Sequence, residues 1–504
     1  MSFNHRTSVL AVAAALAVSA CSFGPGGEPP AMPSPEHYGA QALPSKTVAA
    51  GGVTQTFDVG ATSAPQWWRL YRSDALDALV DEGLRNSPTL ASAQRTLASA
   101  QQQLRAQIGE TTLPSIDGVA QVQRARSPVV PGLGPEQVQY NFFAGQLAAH
   151  YTFDLFGQTR YMNSASAARV NVQAYELEAS RRALAANIVG ASINVAALDR
   201  QIALTERLVA VSNDTANDDR QRYALGSVSR VQALGSKQDA ASVAATLPAL
   251  RQQRASAIHA LAVLLGRTPD NPPSVPALDT LSLPEHVPVA VPSDLLRARP
   301  DIQAADAAVK AAAADVGSAT AQMFPSLSLT ASMGRGGFSW PALLSGAGGL
   351  WAIGASLSQP IFHGGALVAQ RRASIDAYDA SVLHYKATVL SAFQDVANSL
   401  AALDNDAQTL ASNEVAAQAA RAAFDDTASR HRMGSLPATA QYASEARYLN
   451  AQMGAVRAES QRMSDTAALF QAMGELPVNQ QTAASGAMTS ENGEGGARMS
   501  PFVR

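Results

Sequence analysis

The stretch Arg222-Tyr-Ala-Leu-Gly-Ser-Val228 recurs in the second half of the chain as Arg430-His-Arg-Met-Gly-Ser-Leu436. From Gly226 and Gly434 the two copies run in register, without a gap, to Gly266 and Gly474 and on to Pro269 and Pro477. Ser236/Ser444, Gln253-Arg254/Gln461-Arg462 and Ala260-Leu261/Ala468-Leu469 match in between. Upstream, Leu113-Pro-Ser-Ile pairs with Phe324-Pro-Ser-Leu, and Phe156 pairs with Phe362. A solenoid needs several short units, so one duplication of this period has a different meaning. It points to two copies of one large supersecondary unit placed about a pseudo-symmetry axis.

Each copy reads as a helix, a two-stranded hairpin, a very long helix, a tight turn and a returning helix. In the first copy a helix is expected from Asn86 to about Thr112, with Pro88 near its first turn, and strands near Leu113–Arg126 and Tyr140–Phe156. No proline follows until Pro248. From Gly157 to Leu225 the chain can therefore run as one helix of about 70 residues, roughly 100 Å at 1.5 Å per residue, far beyond a globular helix. The opening helix (about 27 residues) and the returning one (about 39) together nearly equal the long one, so two stacked short helices match one continuous helix. The second copy gives about 24 and about 37 against about 70.

Two periods separate helix from strand. Val389, Phe393, Val396, Leu400, Leu403, Ala407 and Leu410 alternate spacings of four and three, the seven-residue repeat of a left-handed coiled coil. By contrast, Leu327, Leu329, Ala331 and Met333 alternate with Ser328, Thr330 and Ser332. Trp351, Ile353, Ala355 and Leu357 alternate with small or polar residues, as do Leu147, Ala149, Tyr151, Phe153 and Leu155. The strand around Ile116 to Val122 alternates poorly. Dyads of this length fit a transmembrane β-barrel, apolar toward lipid and polar toward a lumen. Phe142, Phe143, Trp340 and Trp351 are candidates for an aromatic girdle. Four strands per chain leave open edges that cannot face hydrocarbon, so the barrel must close by oligomerisation.

The N-terminus carries a basic His5-Arg6, an apolar run from Val9 to Val18 too short to span a bilayer, and Val18-Ser19-Ala20-Cys21. Residues 1–20 read as an export signal. The run ending at Cys21 resembles the bacterial lipobox, in which the cysteine becomes the acylated first residue, and Ser22 after it implies outer-membrane sorting. Cleavage after Ala20 with Cys21 a bystander is the other reading. Residues 21–65 follow as a lipid-anchored extended arm rich in Gly, Pro, Ser and Ala. The remaining divisions are 66–268 for the first repeat, 269–298 for a Pro-rich equatorial linker, 299–477 for the second repeat, and 478–504 for a disordered tail.

Composition excludes several classes. A net charge of -3 leaves no electrostatic footprint for nucleic acid. Cys21 is the single cysteine, which excludes a disulfide framework or a cysteine-based metal cluster. The eight histidines show no metal-ligand spacing and no nucleophile–base constellation stands out. No cofactor or metal is expected, and the chain reads as a conduit rather than an enzyme. Arg297-Ala-Arg299-Pro-Asp301 reads as a helix entry, with Pro300 at the first position and Asp301 favouring the dipole.

The ordered series Trp67-Trp68-Arg-Leu-Tyr, Asn86-Ser-Pro-Thr-Leu-Ala, Leu113-Pro-Ser-Ile, Asp154-Leu-Phe-Gly, Leu296-Arg-Ala-Arg-Pro-Asp-Ile, Phe324-Pro-Ser-Leu and Gln359-Pro-Ile-Phe resembles the outer-membrane efflux protein family. The members are TolC-like, and the lipoproteins of the NodT/OprM type are the nearest in pattern; the resemblance covers roughly residues 60 to 477. It implies a mixed α and β membrane protein forming a homotrimer. A twelve-stranded outer-membrane β-barrel, four strands from each chain, continues into an α-helical coiled-coil barrel across the periplasm. It further implies the outer-membrane channel of a tripartite efflux pump, joined through a periplasmic adaptor (membrane fusion protein) to an inner-membrane pump, usually of the resistance-nodulation-division type. A duct for type I protein secretion and a periplasmic adaptor lipoprotein are the alternatives.

The resemblance also assigns sites. Leu225, Gly226 and Ser227 in one copy, and Met433, Gly434 and Ser435 in the other, are the periplasmic tips where the adaptor docks. The Ser after each Gly departs from the family's apolar-Gly-apolar pattern. The positions matching the aspartates of the family's entrance constriction are Val231, Gln232, Ala440 and Ala443, beside Arg230, which predicts an entrance without an acidic ring.

Overall fold

The computed structural model describes residues 23–32, 35, 37–39, 44–61, 64–126, 139–345 and 348–474. Cys21, the export signal, the segment 478–504 and the first hairpin loop lie outside the described residues. The chain divides into two compact units. One comprises Met1–Ala31, Arg95–Ala174 and Ala304–Ala387; the other comprises Met32–Gln94, Tyr175–Gln303 and Thr388–Arg504.

The first unit is built on an antiparallel sheet of β2 (Ser115–Arg126), β3 (Gln139–Phe153), β5 (Ser326–Gly337) and β6 (Gly349–Ser358), in the order β2-β3-β5-β6. Directly opposed residues share a face, so the register tests the alternation read from sequence. Gly118 faces Leu147, Leu147 faces Met333, and Met333 faces Trp351. Ile116, Ala149, Ala331 and Ile353 form the next row. Most of the large apolar residues of the four strands thus fall on one face, with Val119, Phe142 and Leu350 the exceptions on the other. The weak alternation of β2 arises because that face carries Gly118 and Ala120, small residues that a hydropathy pattern undercounts. The other face holds Ser115, Asp117, Gln121, Gln146, His150, Ser328, Thr330 and Ser332. Phe143 packs 4.7 Å from Trp340, which opens the short helix α7 (Trp340–Leu344), on the apolar side. Phe142 does not join this girdle: it opposes Gln123 on the polar face, with its ring 6.0 Å from Phe338.

Where strands meet helices, Phe23 lies 4.6 Å from Phe324, and Phe324 stacks on Phe156 at 5.0 Å. The Phe23 N–H donates to the Tyr161 hydroxyl at 3.0 Å. Helices at this end are α2 (Pro88–Thr112) and α6 (Pro300–Ala321), and two long helices start here: α3 (Gln158–Ala224) and α8 (Ala366–Arg432), each 67 residues. Gln107 of α2 is tied to Asn163 and Ser166 of α3 by side-chain hydrogen bonds.

The second unit contains the returning helices α4 (Arg230–Leu264) and α9 (Ala438–Met473), and the apolar core. That core gathers Trp67, Tyr71, Leu76, Ile188, Leu261 and Phe470 among others. Trp67 stacks on Phe470 at 5.3 Å, and the buried Tyr71 hydroxyl donates to the Met463 carbonyl at 2.7 Å. Each such buried large side chain contributes about 1.5–3 kcal/mol relative to exposure. Val389, Val396, Leu400, Leu403, Ala407 and Leu410 of the heptad seam are all buried. Phe393 is half-buried, with Tyr38 of the N-terminal arm edge-on at 6.2 Å.

Two features differ from the reading of the sequence. A further helix, α1 (Asp74–Asn86), precedes Pro88; Ser73 caps it, and Leu76, Leu79, Val80 and Gly83 are buried at helical spacing. The arm and the Pro-rich linker are not bare tethers. Strand β1 (Thr56–Val59) from the arm pairs in parallel with β4 (His286–Val289) from the linker, which also forms the short helix α5 (Pro292–Ala298). Pro248 stands inside α4, within the span expected for the returning helix. The Arg299-Pro300-Asp301 entry is as expected: Asp301 accepts the Ile302 N–H at 2.9 Å and pairs with Arg299.

Candidate functional site

The two long helices end in the same way. Gly226 and Gly434 adopt φ of +75° and +73°, a conformation an L side chain enters at a cost of about 1 kcal/mol. A Cβ added to either would meet open space, so backbone conformation alone requires glycine here. The Ser227 N–H donates to the Arg222 carbonyl at 2.8 Å and the Gly226 N–H to the Tyr223 carbonyl at 2.9 Å. This is the Schellman arrangement that satisfies the last free carbonyls of a helix. Ser435 and Gly434 repeat it on Arg430 and His431, at 3.0 and 2.9 Å.

The serines that depart from the family pattern have a local purpose. Ser227 Oγ donates to the Arg222 carbonyl at 2.9 Å, and Ser435 Oγ to the Arg430 carbonyl at 2.9 Å. Each hydroxyl adds a second bond to a carbonyl that the helix itself leaves open. Sequence spacing gave the turn but not this bond; a Ser directly after a capping Gly is the signal that would have revealed it.

Around the turns, Leu225, Val231 and Met433 are 83%, 80% and 74% exposed, which leaves an apolar side chain projecting at each reversal. The four positions matched to the entrance constriction, and Arg230 beside them, do not behave alike. Arg230, Val231 and Ala443 are exposed and Ala440 is half-buried. Gln232 is tied down: its Nε2 donates to Asp219 at 3.2 Å, and Ser236 Oγ donates to the same carboxylate at 2.6 Å. Asp219 is buried and also lies 3.7 Å from Arg222. The first tip is therefore stapled by a carboxylate held inside its own helical pair. At the second tip, His431 Nδ1 donates to the Leu436 carbonyl at 2.9 Å. Further up that pair, Arg421 sits over Tyr448, which stacks on Phe424 at 6.1 Å.

The other candidate surface is the sheet. Ile116, Leu147, Met333, Trp351 and Ile353 are strongly exposed on its apolar face. Strands β2 and β6 are its unpaired edges. Among the described residues no helix is long and apolar enough to cross a membrane.

An exposed apolar sheet face, combined in one chain with two helices of 67 residues, defines the class of outer-membrane channels whose strands continue into long helices. The chain matches the outer membrane efflux protein family over residues 79–267 and 291–475, and it belongs to that family. It is 30% identical over 404 residues to the outer membrane protein OprJ of Pseudomonas aeruginosa, covering 79% of this chain and 80% of the relative. It is 29% identical over 384 residues to the probable efflux pump outer membrane protein TtgC of Pseudomonas putida, covering 76% and 78%. In fold it is similar to the CmeC outer membrane channel of Campylobacter jejuni, with a TM-score of 0.80, 20% identity, and coverage of 93% of this chain and 98% of that one. The protein is an outer-membrane efflux component.

Proposed function

We propose that the protein is the passive exit duct of a tripartite efflux pump, a lipid-anchored homotrimer with twelve strands, four from each chain. The observation that carries this is the predominantly apolar face running across all four strands between two unpaired edges. An open edge in hydrocarbon leaves backbone groups without partners, so copies must join edge to edge. The repeated order of hairpin, long helix and returning helix in each half supports an internal duplication, in which each hairpin occupies one of six equivalent places in the ring. Cys21 is the acylation site that follows the export signal of residues 1–20.

In this reading the tips Leu225-Gly226-Ser227 and Met433-Gly434-Ser435 receive a periplasmic adaptor, which links the duct to an inner-membrane pump of the resistance-nodulation-division type. The exposed Leu225 and Met433 supply apolar anchors on a rigid turn. The cargo consists of small toxic compounds. Arg230, Val231, Gln232, Ala440 and Ala443 form an entrance without an acidic ring, since the nearby Asp219 carboxylate is occupied by Gln232, Ser236 and Arg222.

The test is the purified, detergent-extracted protein in a planar bilayer. Discrete unitary conductance is expected, with weak block by low-millimolar hexamminecobalt from the periplasmic side. Absence of discrete channels rejects the duct; strong trivalent block with channels present rejects only the entrance assignment.

A further inference from the structure

The lipid-facing side of the sheet changes character along its length. On β2 that face reads Ile116, Gly118, Ala120, Val122, and then Arg124 and Arg126. On β5 it reads Leu327, Leu329, Ala331, Met333, and then Arg335. All three arginines are exposed. They lie toward the strand ends remote from the helices, since β2 and β5 both start immediately after a helix.

The placement repeats. Arg124 and Arg335 are each the tenth residue of their strand, and the strands begin at the equivalent Ser115 and Ser326 of the two Pro-Ser motifs. Ten residues at ~3.3 Å each and a tilt of ~40° carry the chain about 25 Å along the membrane normal, the height of an outer-membrane apolar band. Both arginines therefore reach the outer headgroup level. Among the described strand residues on this face there is no Asp or Glu; the one acid in these strands, Asp117, stands on the polar face. Charge of one sign at a headgroup level needs a counter-charge from the membrane.

Arg335 is prearranged for such a contact. Its Nη1 donates to the Leu344 carbonyl at 3.0 Å, which orients the guanidinium and leaves its other N–H groups free to bind an anion. Beside it lies a shallow hollow of about 580 Å³, formed where Gly118, Ala120 and Gly145 stand next to Leu147 and Met333. A Cβ placed on Gly145 would touch nothing. Small residues below a guanidinium offer an acyl chain a seat while its headgroup meets the charge.

We propose that Arg124 and Arg335, assisted by Arg126, form a binding site for the phosphate groups of an anionic, phosphorylated glycolipid in the outer leaflet. Guanidinium and phosphate match in geometry and charge, and the pair is the stronger for being ionised on both sides. In a ring of three copies the duplicated position places six arginines at one level. The inference rests on the duct reading, which fixes the apolar face as the lipid face.

The test uses the full-length protein in phosphatidylcholine liposomes with and without bisphosphorylated lipid A, with co-purifying lipid A counted by native mass spectrometry. For wild type we expect retention of lipid A and a raised dissociation temperature of the oligomer. For Arg124→Gln/Arg335→Gln we expect retention to fall roughly tenfold or more, with unitary conductance unchanged. Dephosphorylated lipid A should be retained no better than by the variant. Equal retention by wild type and variant, or indifference to the phosphates, overturns the site while conductance leaves the duct intact. A wild-type protein that gives no channels removes the duct reading and this site with it.

Discussion

Arg462 is 1% exposed, yet its guanidinium is fully engaged. It donates to Gln55 Oε1 at 3.0 Å, the Ala50 carbonyl at 2.9 Å and Thr47 Oγ1 at 3.1 Å, and so clamps the N-terminal arm to α9. A buried arginine without such partners would cost several kcal/mol. The neighbouring Asp406 of α8 is less comfortable. Burial, reinforced by the carboxylate of Asp465, pushes its pKa up to about 7, although Arg462 pulls it down. Its Oδ2 has no donor; a proton on Asp406 itself supplies one. The folded-state pKa therefore exceeds the unfolded one, near 3.8. The native state binds the extra proton between about pH 4 and 7, and stability falls as pH rises through that window. Asp406 and Asp465 are only half-buried, so solvent screening reduces the effect to about 1–2 kcal/mol. Asp406→Asn retains a donor and removes the titration. Denaturant midpoints at pH 5 and pH 8 should show wild type losing stability relative to the variant at the higher pH; equal pH dependence of the two would reject the assignment. This cluster was not legible in the sequence, where Arg462 appeared only as half of a repeated Gln-Arg pair. Its partners lie hundreds of positions away in the arm, and no local period links them.

At the scale of elements, physics that acts locally was the most readable. The 67-residue helices followed from a proline-free run and the Gly-bearing reversals, because both the absence of a breaker and the need for positive φ are properties of single residues. The seam of α8 was readable for a similar reason: a seven-residue repeat leaves its periodicity in the sequence whatever the partner. Helix α1 carries its own signals in Ser73 and the spacing of Leu76, Leu79, Val80 and Gly83, but only Ser87 separates it from the stronger helix start at Pro88. The β1–β4 pair was missed because four-residue strands carry too few positions to show a period, and their partners come from separate segments. At the tips, the sequence located the turn glycines but not the serine hydroxyls that complete the caps. The seam makes a direct prediction. Leu400 and Leu403 are 1% and 0% exposed, and an aspartate at each place would bury an unpaired charge in the coil, at several kcal/mol per site. Leu400→Asp/Leu403→Asp should lower the yield of assembled oligomer severalfold on a native gel, while the same change at the exposed Leu390 should leave it near wild type. An undiminished, heat-resistant oligomer in the double variant would show that the seam does not hold the helices together.

For the whole molecule, the proposed trimer implies one particular pairing between copies, which the sheet's register predicts. Strand β2 runs parallel to β5, because each is antiparallel to β3. Strand β6 is antiparallel to β5, so β6 of one copy can pair antiparallel with β2 of the next, as every pair within the chain already does. The register follows from the repeat. Ser115 and Ser326 are equivalent, and the hairpins pair Ser115 with His150 and Ser326 with Ser358. His150 and Ser358 are therefore equivalent too. Carrying the Leu147–Met333 pair of the β3–β5 junction over to the junction between copies sets Ala355 opposite Val122 of the next copy. Both belong to the apolar face, so the derived register keeps that face continuous around the ring; a slip of one residue would turn one edge inside out. Directly opposed residues stand about 4.5–5.5 Å apart at Cα, within reach of a disulfide. In a protein carrying Cys21→Ser to remove the native thiol, Val122→Cys with Ala355→Cys should oxidise to a covalent ring three chains in size on a denaturing gel. Val122→Cys with Ser356→Cys should remain monomeric, because the second thiol points to the opposite face. Cross-linking of the second pair instead of the first would mean that the copies do not continue the internal register. A ladder extending beyond three chains would mean that the sheet does not close as a trimer.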